Sequence, residues 1–173
     1  MSIFRIVPDS DRFNCMEAHE KYWPILDRFT GSKLAATWKR IPLLMDTSVG
    51  RVGDFPSLRG PVPVFSQRAW NALQPLIEKS VEALPVKCGT HDYYLINVID
   101  VVDCLDHARS HIKRFSSGRI MLVESYCFRD SCLTTQVIWK LPETASLEVL
   151  VSESFRRAVE KSQLQGLLLE KLA

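Results

Sequence analysis

The chain has 173 residues, of which 46% are hydrophobic and 24% are charged, and its formal net charge is +2. This length and composition are typical of one globular domain and exclude disordered and fibrous chains. The near-neutral balance argues against a dedicated nucleic-acid binder and against the strongly acidic inhibitors of nucleic-acid enzymes. We therefore predict one domain over residues 1–173 that folds without a metal ion or a disulfide.

The sequence contains no recognisable targeting pattern. A secretory signal needs about 7–15 apolar residues behind a basic start, and a membrane span needs about 18. Neither kind of run is present, and no CxxC pair suggests a redox or metal motif. We therefore expect a cytoplasmic protein with reduced thiols and no membrane partner. The cysteines are Cys15, Cys88, Cys104, Cys127 and Cys132.

The N-terminal third of the chain has mixed signals. Ile3 to Val7 predicts a short strand, and the apolar spacing from Phe13 to Leu26 predicts a helix kinked at its internal proline. Residues 31–59 form the least regular part, with a possible edge strand from Ile41 to Met45. Trp38 lies in this irregular part, and we expect it to be an exposed anchor for a partner.

A strand that runs into a helix follows. Val62 to Ser66 predicts the strand, and Ser66 is placed to cap the helix. Apolar residues then recur at helical spacing, but Pro75 interrupts them. We predict either a kink or two stacked helical pieces, Arg68–Leu73 and Pro75–Ala83.

The clearest sheet signal is a hairpin in the middle of the chain. Leu84–Cys88 and Tyr93–Val102 flank a polar turn, Gly89–Asp92. The second arm is β-branched or aromatic on both faces, which is typical of a covered central strand whose Asn97 and Asp100 then need partners. Further on, Ile120–Tyr126 and Thr135–Leu141 predict two more strands.

The chain ends with a second strand-to-helix unit. Val149–Val151 predicts a strand, Ser152 a helix cap, and Leu167–Leu169 a last strand. This unit faintly echoes the one around Ser66, since both combine an apolar strand, a serine and a helix. Strands in the middle with helices near the ends predict an α+β fold: a mostly antiparallel central sheet with helices at its ends or on one face, and two serine-capped strand–helix units.

Reactive side chains are densest between Asp103 and His111. If this stretch is helical, His107 and His111 share a face with Cys104 one turn earlier, and the three could hold a zinc ion. An HExxH glutamate and a second Cys/His pair are both missing, which favours a surface helix instead. A small metal- or ligand-binding enzyme centred on these three residues remains the alternative.

Motifs for other chemistry do not occur. The sequence contains no GxSxG, Walker-type loop or GxGxxG, and no cysteine lies in a recognisable catalytic context with a histidine. We therefore predict no catalytic, cofactor-binding or metal-binding residues.

Basic residues gather between Arg109 and Arg119, around Phe115 and a flexible Ser-Ser-Gly turn. One interpretation is a loop that contacts phosphate, and the other is a solvated connection between strands. Because loops carry variable recognition, we place partner binding here and in residues 31–59. The candidate residues are Trp38, Arg40, Arg51, Asp54, Arg109, Lys113, Arg114 and Arg119.

Three stretches, which keep one order along residues 40–170, resemble immunity protein family eleven of bacterial polymorphic toxin systems. The first is Asp54–Leu58 with Pro63–Ser66, Ala69 and Leu73; the second, the closest match, is Tyr93–Asp106; the third is Leu150–Ser152 with Phe155, Ala158, Leu164 and Gly166.

The resemblance implies a protein that binds and neutralises a toxin inside the cell that produces both. It implies a protein partner, and neither a nucleic acid nor a cofactor. The alternatives are the enzyme centred on Cys104 and an adaptor protein with no toxin partner.

Overall fold

The fold combines eleven strands and three helices in the part of the chain that the structure describes. The structure is a computed structural model, and it describes residues 2–48, 50–129, 132 and 135–173. The strands are β1 (Ile3–Pro8), β2 (Cys15–Glu17), β3 (Leu44–Asp46), β4 (Val64–Ser66), β5 (Val81–Cys88), β6 (His91–Val98), β7 (His111–Arg114), β8 (Ile120–Ser125), β9 (Ile138–Trp139), β10 (Leu150–Ser152) and β11 (Leu167–Lys171). The helices are α1 (Trp23–Leu26), α2 (Gln67–Ile77) and α3 (Glu153–Lys161).

The strands form two larger and two smaller antiparallel sheets. One larger sheet has the order β11-β1-β10-β9 and the other β4-β6-β5, while β2 pairs with β3 and β7 with β8. Side chains from both larger sheets and from α2 and α3 share one core cluster. The predicted α+β class is therefore confirmed, although several antiparallel sheets replace the single central sheet.

Two strand–helix–strand units have the same topology. In the first, β4 leads into α2 and then β5, and β6 lies between the two strands. In the second, β10 leads into α3 and then β11, and β1 lies between the two strands. In the second unit, β1 therefore occupies the central position that β6 occupies in the first unit. The faint echo in the sequence corresponds to this shared arrangement.

The first helix of the pair begins as predicted and continues where a break was expected. The Ser66 hydroxyl accepts a hydrogen bond from the Ala69 amide at 3.1 Å, which caps α2. Leu73 and Ile77 are both fully buried on one face, so packing holds the helix across Pro75. Pro75 lies in the last turn and has no amide to donate to the carbonyl four residues earlier, so the helix continues there without that hydrogen bond. The predicted second helical piece, Pro75–Ala83, is instead the end of α2, a turn at residues 78–80 and the start of β5.

The second helix begins at the predicted residue without the predicted hydrogen bond. Ser152 precedes α3 in an extended conformation, but its hydroxyl lies 2.6 Å from the Ser154 hydroxyl and caps no amide. Glu153 and Arg156 pair within the first turn. The last strand, β11, follows as predicted.

The main error in the predicted secondary structure is the helix expected from Phe13 to Leu26. Residues 15–17 form β2, which pairs with β3, and the Met16 amide donates to the Ser57 carbonyl at 2.7 Å. Only Trp23–Leu26 is α-helical. Partners about thirty and forty residues away along the chain determine the strand, and a local periodicity cannot detect them.

Candidate partner-binding surface

The β7–β8 hairpin brings together four of the predicted partner-binding residues. Lys113 and Arg114 lie on β7, Arg119 closes the turn, and Arg109 lies just before the hairpin. The predicted helix over Asp103–His111 is wrong. Residues 106–109 form a turn in which the Asp106 carboxylate accepts hydrogen bonds from the amides of Ala108 and Arg109 at 3.0 and 3.1 Å. Such local bonds compete with helix formation.

A tight turn fixes the tip of the hairpin. The Gly118 amide donates to the Phe115 carbonyl at 2.9 Å, and the Phe115 amide donates to the Arg119 carbonyl at 2.8 Å. Gly118 has φ of 82°, the left-handed conformation that glycine adopts without penalty. The pattern is a tight turn followed by one left-handed residue, a common way to join two antiparallel strands.

The other side of the hairpin is anchored in the domain. Val123 is buried, and Ile112 and Ile120 pack beside it in a cluster that contains Trp139 and Leu105. Two irregularities in the β7–β8 register leave Glu124 and Met121 without a direct cross-strand partner. The hairpin therefore has one face on the core and one face directed to solvent.

The hairpin exposes large apolar groups. Phe115 is 47% exposed, Met121 41% and Leu122 40%. Four consecutive apolar residues, 120–123, are the sequence signal for such a surface, because a strand covered on one face alternates with polar residues. The apolar run predicts the strand Ile120–Tyr126 without identifying Met121 and Leu122 as surface residues. Phenylalanine, methionine and arginine are the types enriched in protein interfaces.

Ion pairs organise the charges on the strands of the hairpin. Glu124 pairs with Lys113 and, at 2.7 Å, with His111. The hydrogen bond from Lys113 and the nearby positive charges hold the pKa of the Glu124 carboxyl below its usual range. Arg109 pairs with Asp106 at 2.7 Å, and this contact lowers the pKa of Asp106. These pairs hold Lys113 and Arg109 in place.

At the tip, the arginines contact neutral groups. The Arg114 guanidinium donates to the Gly118 carbonyl at 3.0 Å, and the Arg119 guanidinium lies over the Phe115 ring at 5.9 Å. Among the described residues, no carboxylate forms an ion pair with either arginine. The tip therefore presents two guanidiniums and an aromatic ring to solvent.

We predict that replacing Gly118 loosens the tip. Valine has to adopt the left-handed conformation at a cost of about 1–2 kcal/mol, whereas asparagine tolerates it. A Cβ atom at this position meets nothing within 4 Å, so the cost is conformational. The amides of Phe115 and Gly118 are expected to exchange hydrogen about 5–30 times faster in Gly118→Val than in Gly118→Asn. Equal rates in the two variants would show that this conformation does not hold the turn.

A model of the Imm11 immunity protein family matches residues 85–173, more than half of the chain. The chain belongs to the Imm11 family. A search of curated proteins found no match. The region matched to Imm11 contains the whole β7–β8 hairpin together with α3, β6 and residues 85–88 of β5, so the candidate surface lies within the family-matched part. In the described part of the chain, no helix is both long and apolar enough to cross a bilayer.

The remaining candidate residues lie outside the region matched to Imm11, and three of them make contacts within the domain. Trp38 is half-buried rather than exposed, and its indole N–H donates to the Pro85 carbonyl at 2.9 Å. Arg51 lies over the Phe13 ring at 4.8 Å. Asp54 is 7% exposed and joins several segments. Arg40 is exposed. The side-chain contacts of Trp38, Arg51 and Asp54 within the described residues involve none of the hairpin residues.

The residues of the alternative zinc site have other partners. Cys104 is fully buried, and this burial raises the pKa of its thiol to about 12. His107 contacts Glu143, whereas His111 pairs with Glu124. The described residues contain no group of three or more His, Cys, Asp or Glu side chains placed to hold a metal ion. The helical spacing that suggested the site does not exist here.

A groove of about 440 Å³ lies between β1, the segment before β4 and residues 147–149. This volume suits a small ligand, but the lining is mostly apolar. Arg5 pairs with Glu148 at 3.2 Å and with Glu170 at 2.7 Å, and the Tyr126 hydroxyl donates to Glu148 at 2.8 Å. The charged side chains of the groove are therefore paired with one another.

Proposed function

We propose that this protein neutralises a cognate toxin domain by binding it and occluding its active site or substrate path. The β7–β8 hairpin is the main contact surface in this proposal. Membership of the Imm11 family supports the role in immunity. The observation that supports the hairpin as the contact surface is the exposure of Phe115, Met121 and Leu122 near two arginines. Protection takes place in the cytoplasm of the producing cell, where toxin and immunity protein are made together.

Binding rather than catalysis suits the geometry of the described residues. Cys104 is a buried thiol whose raised pKa keeps it protonated at neutral pH, so it is a poor nucleophile. In the groove, Glu148 is held by Arg5 and Tyr126, which leaves it poorly placed to transfer protons. A scaffold that presents an exposed contact surface needs neither group.

The residue types on the hairpin are compatible with tight binding. A stable interface buries about 1,600 Å² in total, and a few central anchors supply most of the energy. Phe115 and the adjacent apolar residues can supply such anchors. The short, hydrogen-bonded turn holds them in place before binding, which reduces the entropy lost on association.

Co-expression with the toxin domain encoded beside this gene tests the proposal. Cells that make the toxin domain alone are expected to die, and cells that also make the full chain are expected to grow. The triple variant Phe115→Ser/Met121→Ser/Leu122→Ser is expected to lose protection, because a hot-spot cluster costs well over tenfold in affinity when removed.

The matched control is Leu44→Ser. Leu44 is the most exposed of the large hydrophobic residues in the described ranges, at 74%, and it lies on β3. This variant is expected to protect as well as the wild type. Death with the wild-type chain present would contradict the immunity function itself. Full protection by the folded triple variant would contradict only the assignment of the hairpin.

A further inference from the structure

We propose that the tip of the β7–β8 hairpin recognises carboxylates in an apolar-rimmed cleft of the toxin. The toxin is then an enzyme with an acidic active-site cleft, such as a hydrolase that works through carboxylates or a carboxylate-bound metal. A nuclease with a basic substrate cleft does not fit. This inference rests on the proposed function and adds the chemical class of the partner.

The first argument is the uncompensated charge at the tip. Arg114 is held by a carbonyl oxygen and Arg119 by an aromatic ring, so neither positive charge is neutralised within the described residues. Lys113, one step back along β7, is already paired with Glu124. Burying the two arginines against a partner is favourable only if that partner supplies negative charge, because an unpaired buried charge is strongly destabilising.

The second argument is the geometry of the donors. A guanidinium is planar and offers a fixed fork of N–H groups that matches the two oxygens of a carboxylate. The hydrogen bond from Arg114 to Gly118 and the contact of Arg119 with the Phe115 ring position both groups before the partner arrives. Preorganised donors lose little conformational entropy on binding, which suits a loop that enters a cleft.

The third argument separates an acidic protein cleft from a nucleic acid, whose phosphates also attract arginine. Proteins that bind single-stranded nucleic acid offer several aromatic faces on which successive bases stack, whereas residues 114–119 contain one aromatic ring, that of Phe115, with the Arg119 guanidinium over it. The neighbouring Met121 and Leu122 are exposed apolar groups. Such side chains suit the rim of a protein cleft better than a phosphate backbone.

Charge reversal tests the inference directly. Arg114→Glu and Arg119→Glu are each expected to weaken binding of the cognate toxin domain at least about 100-fold in calorimetry or surface plasmon resonance. Arg28→Glu makes the same charge change at an exposed position after α1 and is expected to change the affinity less than about threefold. Unchanged binding by both folded tip variants would overturn the inference while leaving the immunity function intact.

Photo-crosslinking identifies the surface that the tip contacts. With p-benzoylphenylalanine in place of Phe115, the crosslinked toxin peptide is expected to contain active-site carboxylates. Changing one of these carboxylates to lysine is expected to restore at least tenfold of the affinity lost in Arg119→Glu. A crosslink to a basic or remote surface, or the absence of any such rescue, would contradict the acidic cleft.

Binding to nucleic-acid probes tests whether the tip recognises phosphates instead of protein carboxylates. The wild-type chain is mixed with a 20-nucleotide single-stranded RNA and with a 20-base-pair DNA duplex at physiological salt, and fluorescence anisotropy is recorded. We expect no binding below about 100 μM, the weak end of non-specific affinity. Micromolar binding that disappears in Arg114→Glu/Arg119→Glu would assign the tip to nucleic acid and overturn the inference. Failure of protection in co-expression would instead contradict the proposed function.

Discussion

Asp54→Ala is expected to lower the free energy of unfolding by about 3 kcal/mol. Asp54 is almost fully buried, and its carboxylate accepts three hydrogen bonds: from the Ser66 hydroxyl at 2.9 Å, from the Arg68 guanidinium at 2.8 Å and from the Gln165 amide at 2.9 Å. Its own backbone bonds to Ser66 and Gln165 as well. The side chain thus joins the start of α2 to the segment between α3 and β11.

The expected loss is smaller than the sum of these contacts. Arg68 is more than half exposed, so water can solvate its charge once the carboxylate has gone. The Ser66 hydroxyl and the Gln165 amide form part-buried hydrogen bonds and lose a charged acceptor, which costs about 1.5–3 kcal/mol for each bond. Because the variant is expected to remain folded at 20 °C, urea denaturation monitored by circular dichroism measures the change.

Two further variants define the origin of the effect. Asp27→Ala removes an exposed aspartate and is expected to change stability by no more than about 0.5 kcal/mol. Arg68→Ala is expected to lower the free energy of unfolding less than Asp54→Ala, because the Ser66 hydroxyl and the Gln165 amide keep the Asp54 carboxylate as their acceptor. If Arg68→Ala lowers the free energy of unfolding as much as Asp54→Ala, the ion pair accounts for the whole effect, and the hydrogen bonds from Ser66 and Gln165 contribute nothing.

The central hairpin and the two strand–helix units could be predicted because their signals are local. Ser66 caps α2, and the two arms around the Gly89 turn form β5 and β6. Asn97 finds the expected partners, since its amide donates to the Ser32 carbonyl at 2.8 Å and to Glu82 at 2.9 Å. Asp100 contacts the Ser80 hydroxyl at 3.3 Å. Capping, turn chemistry and buried polar groups are all visible in a few neighbouring residues.

The features that failed depend on distant partners. The predicted strand from Tyr93 continues only to Val98, because Val101 next pairs with Lys140 beside the other sheet. The predicted strand of residues 135–141 narrows to Ile138–Trp139. In both places the chain stops pairing with one strand and pairs with another segment, and β propensity does not determine which pairing forms.

The candidate surface was predictable in part. The density of basic residues between Arg109 and Arg119 predicts a basic surface, and the structure places Lys113, Arg114 and Arg119 on one hairpin with Arg109 just before it. Trp38 was expected at the surface because its surroundings have no periodicity, yet it packs at 6.1 Å, edge to face, against Phe29. An irregular backbone does not mean an exposed side chain. Whether these residues bind the partner remains a prediction.

Raising the pH from 7.5 to 10.5 is expected to stabilise the wild type by about 3 kcal/mol relative to Lys140→Met. Lys140 is only 1% exposed, and its ammonium donates to the carbonyls of Phe29 and, at 2.6 Å, Ala145. Burial lowers the pKa of Lys140 from 10.5 to about 8. At 1.36 kcal/mol for each pH unit, this difference corresponds to about 3 kcal/mol.

The sign follows from where the proton is bound. Below pH 8 the folded and unfolded chains are both protonated at Lys140, and the folded state carries the full cost of burying the charge. Between pH 8 and 10.5 only the unfolded chain keeps the proton, so the free energy of unfolding rises with pH. Above 10.5 neither state binds it, and the cost has disappeared. Methionine has no charge to bury and lacks this dependence.

The difference in unfolding free energy between the wild type and Lys140→Met excludes the contributions of the other groups that titrate in this pH range. Burial also raises the pKa values of Cys104 and Tyr126, which makes the folded state lose stability as the pH rises through the unfolded values. Both residues are present in the wild type and in Lys140→Met, so their contributions cancel. Lys79→Met, which removes a surface lysine just after α2, is the control for losing one positive charge. If urea titrations show Lys140→Met and Lys79→Met changing in parallel with pH, burial of the Lys140 ammonium does not cause the effect.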